Sequence, residues 1–295
     1  MTGLSEMLRC RYPIVQGPIG ALNSPRLVAA VSEAGAFGML ALGFSGPAEV
    51  RKLVGEVRDL TDKPFGANLM IMNPSNAEIL EILREAGVTT VTTSVGAPSK
   101  IYPLLHTMGM RGLHVVLSLT HAIKASKEGV DGLVVSGSES GGIRSVGSES
   151  TTLVLVPLVA DHVDVPIVAA GGIADARGYR AARALGAQGV QIGTRLIASE
   201  ESPAPAAWKE AIVACGDGGT ALLPIREMGT NMRVIADGKL RRLLADPSAD
   251  LAREYPFANA PQAWTTGDFD LFPAGAGQVA ALIREIRPVK AIIEG

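Results

Sequence analysis

The stretch PIVAAGGIADARGYRAARALGAQGVQIGTRLIAS, residues 166–199, decides the fold. It opens with a short apolar, β-branched run and two glycines. A helical pattern follows, DARGYRAARALGA, which begins on an Asp of the N-cap type and ends beside a Gly. A second apolar run then starts at Val190 and meets another glycine at Gly193. Both runs are apolar on both faces, as in parallel strands covered by helices. This is a strand–helix–strand unit, and the rest of the chain repeats it.

Working outward, strands are expected at YPIVQG from Tyr12, FGMLALG from Phe37, FGANLMI from Phe65, VTTVTTSVG from Val88, LHVVLSL from Leu113 and GLVVSG from Gly132. The seventh and eighth are PIVAAG from Pro166 and VQIGTRL from Val190. Between them lie SPRLVAAVSEAG, GPAEVRKLVGEVRDL, SNAEILEILREAG and DARGYRAARALGA, and PAPAAWKEAIVA follows the last strand. Eight such units predict an α/β fold of the (βα)₈ TIM-barrel type, which closes naturally at that number. A doubly wound open sheet is the weaker alternative. The recurring EAG and LGA at helix ends are repeated loop chemistry, too short to prove duplication. The barrel is expected over 1–215. A small, partly helical lid broken by Gly, Pro and Asn is expected over 216–275, and a C-terminal helix packing back on the barrel over 276–295.

Composition narrows the function. The chain has 295 residues, a formal net charge of -2 and two cysteines, Cys10 and Cys215. The charge offers no case for nucleic acid or an anionic membrane. The cysteines lack a CxxC or metal spacing and fit a reducing compartment. The first residues carry no basic-then-apolar leader pattern, and no apolar run reaches membrane length. A soluble, cytoplasmic protein acting on a small molecule is expected, with a homo-oligomer plausible on the general prevalence of symmetric assemblies. Aromatic residues make up only 4%, so the core must be built from Val, Ile, Leu and Ala.

In such a barrel, function sits at the C-terminal ends of the strands. The seventh strand ends in Gly171-Gly172 and the eighth in Gly193-Thr194. Glycines let backbone N–H groups approach an anion, and a following helix N-terminus adds partial positive charge. Gly171, Gly172, Gly193 and Thr194 are therefore assigned to a phosphate monoester; the plainer reading is two tight turns. Gln16, Gly17 and Pro18 end the first strand and Asn68 lies in the third, leaving space for a planar ring over the mouth. Flavin mononucleotide (FMN) fits both ends of this arrangement. Asn68 is equally readable as a core-edge residue bonding to backbone.

PIVQGPIG, GANLMI, SESGG, AAGGIADARG, ALGAQGVQIGTRLIASEESPA and GDFD…PAGAGQVAALI resemble, in order, the motifs of the nitronate monooxygenase (2-nitropropane dioxygenase-like) family. That family includes FMN-dependent enoyl-acyl-carrier-protein reductases and NAD(P)H:quinone reductases. The resemblance runs from Tyr12 to about Ile283 and implies a (βα)₈ barrel with noncovalent FMN, with NADH or NADPH as a candidate reductant. It places Gly17, Pro18, Ile19, Asn68, Gly141, Gly142, Gly171, Gly172, Gly193 and Thr194 at the FMN, with Gln278 a looser candidate.

The same resemblance exposes a departure. The family's loop after the sixth strand reads E-x-G-G-H-x-G, its histidine facing the flavin. Here the loop reads Glu139, Ser140, Gly141, Gly142, Ile143, Arg144, Ser145. A positioned base contributes about 10²–10⁴-fold to proton removal, and isoleucine offers none. Arg144 is a candidate fork for a carboxylate, nitro or phosphate group, or else a solvated loop arginine. Glu139 is a candidate base, or a structural carboxylate accepting loop N–H bonds. His121, just after the fifth strand, is a third catalytic candidate, with a structural role at the helix start the plainer one. His106 and His162 fall in helices, and His114 at the start of the fifth strand. Gly147 to Ser150 reads as a flexible loop leading into the cap of the sixth helix.

Three functions are weighed. The first is an FMN oxidoreductase oxidising a nitronate-like substrate, with a nicotinamide-dependent enoyl or quinone reductase as its runner-up. A phosphate-binding lyase or isomerase is disfavoured, because no lysine stands at an expected strand end. An inosine-monophosphate-type dehydrogenase would need a cysteine after the sixth strand, and there is none. The last is a flavin-binding protein whose catalysis was lost or altered with the histidine.

Overall fold

The computed structural model describes residues 3–147 and 149–295. Its strands are β1 (Ile14–Gln16), β2 (Gly38–Ala41), β3 (Phe65–Met70), β4 (Thr90–Ser94), β5 (Arg111–Val116), β6 (Gly132–Ser136), β7 (Gly142–Ser145), β8 (Ile167–Ala170), β9 (Gly189–Ile192), β10 (Thr220–Ile225) and β11 (Thr230–Ile235). Eight of them form one parallel sheet in the order β1-β9-β8-β6-β5-β4-β3-β2. The circle closes between β2 and β1. Val15 bridges Phe37, and the Gln16 side chain accepts a hydrogen bond from Met39 N at 3.2 Å. A side chain thus completes a seam that the short β1 leaves thin. This is a nearly closed, TIM-barrel-like (βα)₈ architecture, not an open doubly wound sheet.

The local reasons are those expected. Ser24 and Asp175 accept hydrogen bonds from backbone N–H groups at the starts of helices Pro25–Glu33 and Ala176–Ala184. Leu113, Val134, Val168 and Ala170 face the barrel interior with Val15 and Met39, and the N-terminal helix Leu4–Leu8 plugs the end where the strands begin. Alternate residues such as Leu69, Val91, Val116 and Val135 face outward into the larger core between sheet and helices. Among the described residues, no helix is long and apolar enough to cross a membrane.

Two expectations need correction, and a third needs completing. The eighth strand ends at Ile192, and Thr194–Ile197 is helical, because Gly193 breaks the extended run. The region after 215 is partly helical, as expected, with helices Gly238–Ala245, Leu251–Glu254 and Ala260–Thr266, but it also carries strands that were not expected. β10 and β11 form an antiparallel hairpin, and β7, from the loop after β6, adds as its third strand. Leu223, Ile225, Met232 and Val234 alternate into a small core with Leu240, Tyr255 and Phe272. Pro224 is tolerated because β10 is an edge strand. The single terminal helix is instead a 3₁₀ turn at Gln278–Leu282 and a separate helix Val289–Glu294. Pro288, which lacks an N–H, stands where that second helix begins. Of the expected Gly147–Ser150 loop, Ser148 lies outside the described residues.

Candidate active site at the barrel mouth

The mouth is formed by the loops that follow the barrel strands, and its two sides differ. On the side of β6, β8 and β9, the loops are covered. Residues 274–278 run across them as a strap. Ile235 N donates to Ala274 O at 2.8 Å and Gln278 N to Glu139 O at 2.9 Å. Gly277 N donates to Thr194 Oγ1 at 2.9 Å, and Trp208 Nε1 to Gly275 O at 3.0 Å.

The expected glycines separate into two kinds beneath this strap. A Cβ on Gly141 would sit 2.8 Å from Gly277 N, and one on Gly277 would sit 2.8 Å from Glu139 O. These two let backbone pack on backbone. Gly17 likewise meets Gly193 Cα, and Gly171, at φ +102°, faces Ser140 N and Thr152 Oγ1. By contrast Gly142 has open space around its missing side chain, Gly193 has only Ile19 Cδ1 at 3.9 Å, and Gly172, at φ +74°, has Glu139 at ordinary contact distance. Gly172 and Gly193 therefore leave an accessible cradle at the ends of β8 and β9. The first N–H groups of helix Thr194–Ile197 lie beside it.

Two inward polar residues complete the floor. Asn68 donates from Nδ2 to Thr92 Oγ1 at 2.9 Å across the barrel interior, so it bonds to a side chain, not to backbone. Gln191, paired with Val15 on β1 and Ala170 on β8, has a buried Oε1 with no hydrogen-bond partner among the described residues. An orphaned acceptor level with the last residue of β8 fits a ligand that carries an N–H, as the flavin ring does, while the glycine cradle fits its phosphate. The residues present fit FMN. Sequence reasoning missed Gln191. The available signal was its place two residues before Gly193, on the inward face of an alternating strand.

Arg144 is not a solvated loop arginine. It is 2% exposed, with Nη1 donating to Ser136 Oγ at 3.0 Å and Ser140 Oγ at 2.7 Å and Nη2 to Ser136 O at 3.2 Å. On the same face of the cap sheet, Arg233 donates from Nε to Ser138 O at 3.1 Å. Two arginines thus hold the turn after β6 from above. Burial brings the Arg144 guanidinium down to about 10, with Arg233 pushing the same way and Glu139 opposing; burial lowers Arg233 as well. Both remain charged at neutral pH. Glu139 accepts from Thr152 N at 2.9 Å and Thr152 Oγ1 at 3.2 Å, capping helix Thr152–Ala160 in place of a side chain from Thr151. Its carboxylate is committed to that helix end.

Alternation along β7 also settles where Ile143 stands. Ile143 pairs with Met232, whose side chain belongs to the cap core, so Ile143 lies on the face turned from the strand ends and Arg144 on the face toward them. His121 is elsewhere. It lies in the first turn of helix Leu119–Lys127, and its Nε2 lies 3.3 Å from Nε2 of His114. His114 is wholly buried mid-strand, not at the strand start, and bonds Thr93 Oγ1 at 2.8 Å on the outer side of the barrel. Burial lowers His114 to about 4 and lowers His121 as well. Gln278 is exposed at the strap's end, and its contribution here is the backbone bond to Glu139.

The opposite side of the mouth, after β2, β3 and β4, is open. Phe44 is 81% exposed, Met72 68% and Val95 50%. Val95 has φ +51°, a left-handed conformation that disfavours a β-branched residue by about 1–3 kcal/mol. A cavity of about 410 Å³ lies at the other end of the barrel beside Met7, Thr90 and Arg111, where the strands begin.

The whole chain matches a known family: residues 2–295 match the family described as Nitronate monooxygenase. It is 33% identical to the nitronate monooxygenase of Pseudomonas aeruginosa, covering 96% of this chain and 94% of that protein. It is also 33% identical to a (3aS,4S,5R,7aS)-5-hydroxy-7a-methyl-1-oxo-octahydro-1H-indene-4-carboxyl-CoA dehydrogenase of Rhodococcus jostii, over 83% of this chain and 70% of that one. The structure of FabK from Thermotoga maritima superposes with a TM-score of 0.89 at 36% identity, covering 100% of this chain and 94% of that one. With barrel, covered glycine turns and sequence in agreement, the chain belongs to the nitronate monooxygenase family of flavin oxidoreductases.

Proposed function

We propose that the protein is an FMN-dependent oxidoreductase that oxidises a nitronate-like or other small organic substrate at the barrel mouth. The carrying observation is the open cradle at Gly172 and Gly193 beside the orphaned Oε1 of Gln191. In this reading Gly172, Gly193 and the N–H groups following Gly193 hold the phosphate, and Gln191 and Asn68 meet the ring. The bound flavin supplies two-electron acceptance from the substrate and return of those electrons to oxygen or an organic acceptor. Arg144 and Arg233 keep the β6 turn in place and give that side of the mouth a positive field. Glu139 is spent on the Thr152 helix, Ile143 is apolar and His121 lies outside the barrel, so no free base is assigned at the mouth. That favours a substrate arriving already ionised, as a nitronate does, over a neutral nitroalkane.

The second reading is a nicotinamide-dependent enoyl or quinone reductase, favoured by the likeness to FabK along the full chain. In either case residues 1–215 bind the cofactor, 216–275 cap the mouth and 276–295 clasp it, in a cytoplasmic protein whose two thiols stay free. Release of the chromophore from pure protein, followed by anaerobic reduction with alkyl nitronates, NADH and NADPH, tests the reading. Bleaching by nitronates supports the first function, and bleaching by a nicotinamide supports the second. Bound FMN that neither reduces marks a binder, and protein that purifies colourless and takes up no FMN contradicts the proposal.

A further inference from the structure

Three successive loops present one large apolar side chain each to solvent: Phe44 after β2, Met72 after β3 and Val95 after β4. The loops are tied to one another. Asn73 Nδ2 donates to Ser45 O at 3.1 Å, Ile71 N donates to Ser94 O at 2.8 Å, and Gly96 abuts the Ile71 side chain. The three residues therefore share one rim. It is continuous with the floor of the site, since Asn68 and Met70 belong to the same strand as the Met72 loop. Val95 holds an unfavourable backbone conformation without burying its side chain, so its own packing does not explain it. Strain of this kind concentrates where a side chain is displayed to a ligand.

We propose that Phe44, Met72 and Val95 form an apolar subsite for the non-reacting hydrocarbon part of the substrate, a chain or ring extending several carbons beyond the reacting centre. The proposal rests on the FMN reading above and deepens it by naming a substrate class. A second protein copy is the less suitable occupant. Three side chains fall far short of the roughly 20–30 residues a side found in a stable protein interface, and their loops follow the strand of Asn68 and its two neighbours, at the end of the barrel where the small-molecule site lies.

The test uses FMN-loaded protein and straight-chain alkanoates from butanoate to decanoate. These are unreactive carboxylates that match the charge of a nitronate, and their binding is read from the flavin visible spectrum. Burial of each methylene on the rim strengthens binding roughly two- to fourfold in the wild type. Phe44→Ser and Val95→Asn flatten that dependence while binding of the shortest acid and retention of flavin stay unchanged. Val95→Asn also unfolds at an equal or higher temperature, since asparagine tolerates the left-handed region, so lost binding cannot be ascribed to misfolding. Chain-length dependence that is absent in the wild type, or that survives both substitutions, overturns the proposal. So does a substitution that changes the oligomeric state in sedimentation with no change in chain-length dependence. Colourless wild-type protein is seen before any alkanoate is added and contradicts the FMN reading instead.

Discussion

The two halves of the barrel mouth are built on opposite plans. After β6, β8 and β9 the loops are short of side chains and rich in backbone contacts. Gly141 lies against Gly277, Gly171 against Ser140, and two buried arginines grip consecutive parts of one turn. After β2, β3 and β4 the loops display Phe44, Met72 and Val95 to solvent. A covered half fixes its geometry through backbone that no side chain can perturb. An open half can change its specificity by exchanging single exposed residues at little cost to stability. The difference suits a site in which one ligand stays and another varies.

The largest effect expected is on the covered half. Gly171→Val forces a β-branched residue to φ +102° against Thr152 and Ser140. It should destabilise the protein by roughly 2–5 kcal/mol and abolish flavin retention, as read by denaturation and by the visible spectrum of purified protein. Retained flavin would show that the half is less tightly fixed than described. Next comes Arg144→Met, which removes the charged donors to Ser136 and Ser140. A loss of about 2–3 kcal/mol is expected, with weakened FMN binding but unchanged dependence on alkanoate length. A changed length dependence would break the separation of the two halves.

β5 lies between the halves and carries His114 on its outer face. Its folded value near 4 lies below the ordinary 6.5. Above pH 6.5 both folded and unfolded states are neutral there and the contribution is full. As pH falls from 6.5 toward 4, the unfolded chain takes a proton that the folded state refuses, and stability is lost across that window. His114→Gln should flatten the loss, leaving the part that belongs to His121, while flavin affinity shows no matching dependence. The smallest effect is expected for Ile143→His. Because that face of β7 turns toward Met232, turnover of neutral nitroalkanes should not rise; a gain of about 10²-fold or more would place residue 143 at the mouth in the loaded enzyme.

Much of this was readable in the sequence, and the physical reasons are local. Capped helices and apolar runs announced the eight barrel strands, and the glycines after the last two, Gly172 and Gly193, are where the phosphate cradle is proposed. The cap hairpin was hidden because Pro224 interrupts the alternation of TALLPI and because its third strand, β7, comes from some 75 residues upstream. Arg144 reads as a loop residue among serines and glycines. Only the pairing of β7 with β11 reveals that Ser136 and Ser140 enclose it. Val95 looks like an ordinary strand residue, and nothing in the run VTTVTTSVG announces that the strand stops at Ser94 and that Val95 turns left-handed. Gln191 was passed over because its meaning lies in an unfilled acceptor, which composition does not register.

The most direct measurement is titration of flavin-free protein with FMN, compared with riboflavin lacking the phosphate. One FMN bound per chain, at least about 100-fold more tightly than riboflavin, is predicted if the turns at Gly172 and Gly193 grip a phosphate through charge-assisted hydrogen bonds. Equal affinity for the two, or binding of neither, would contradict the assignment of those turns.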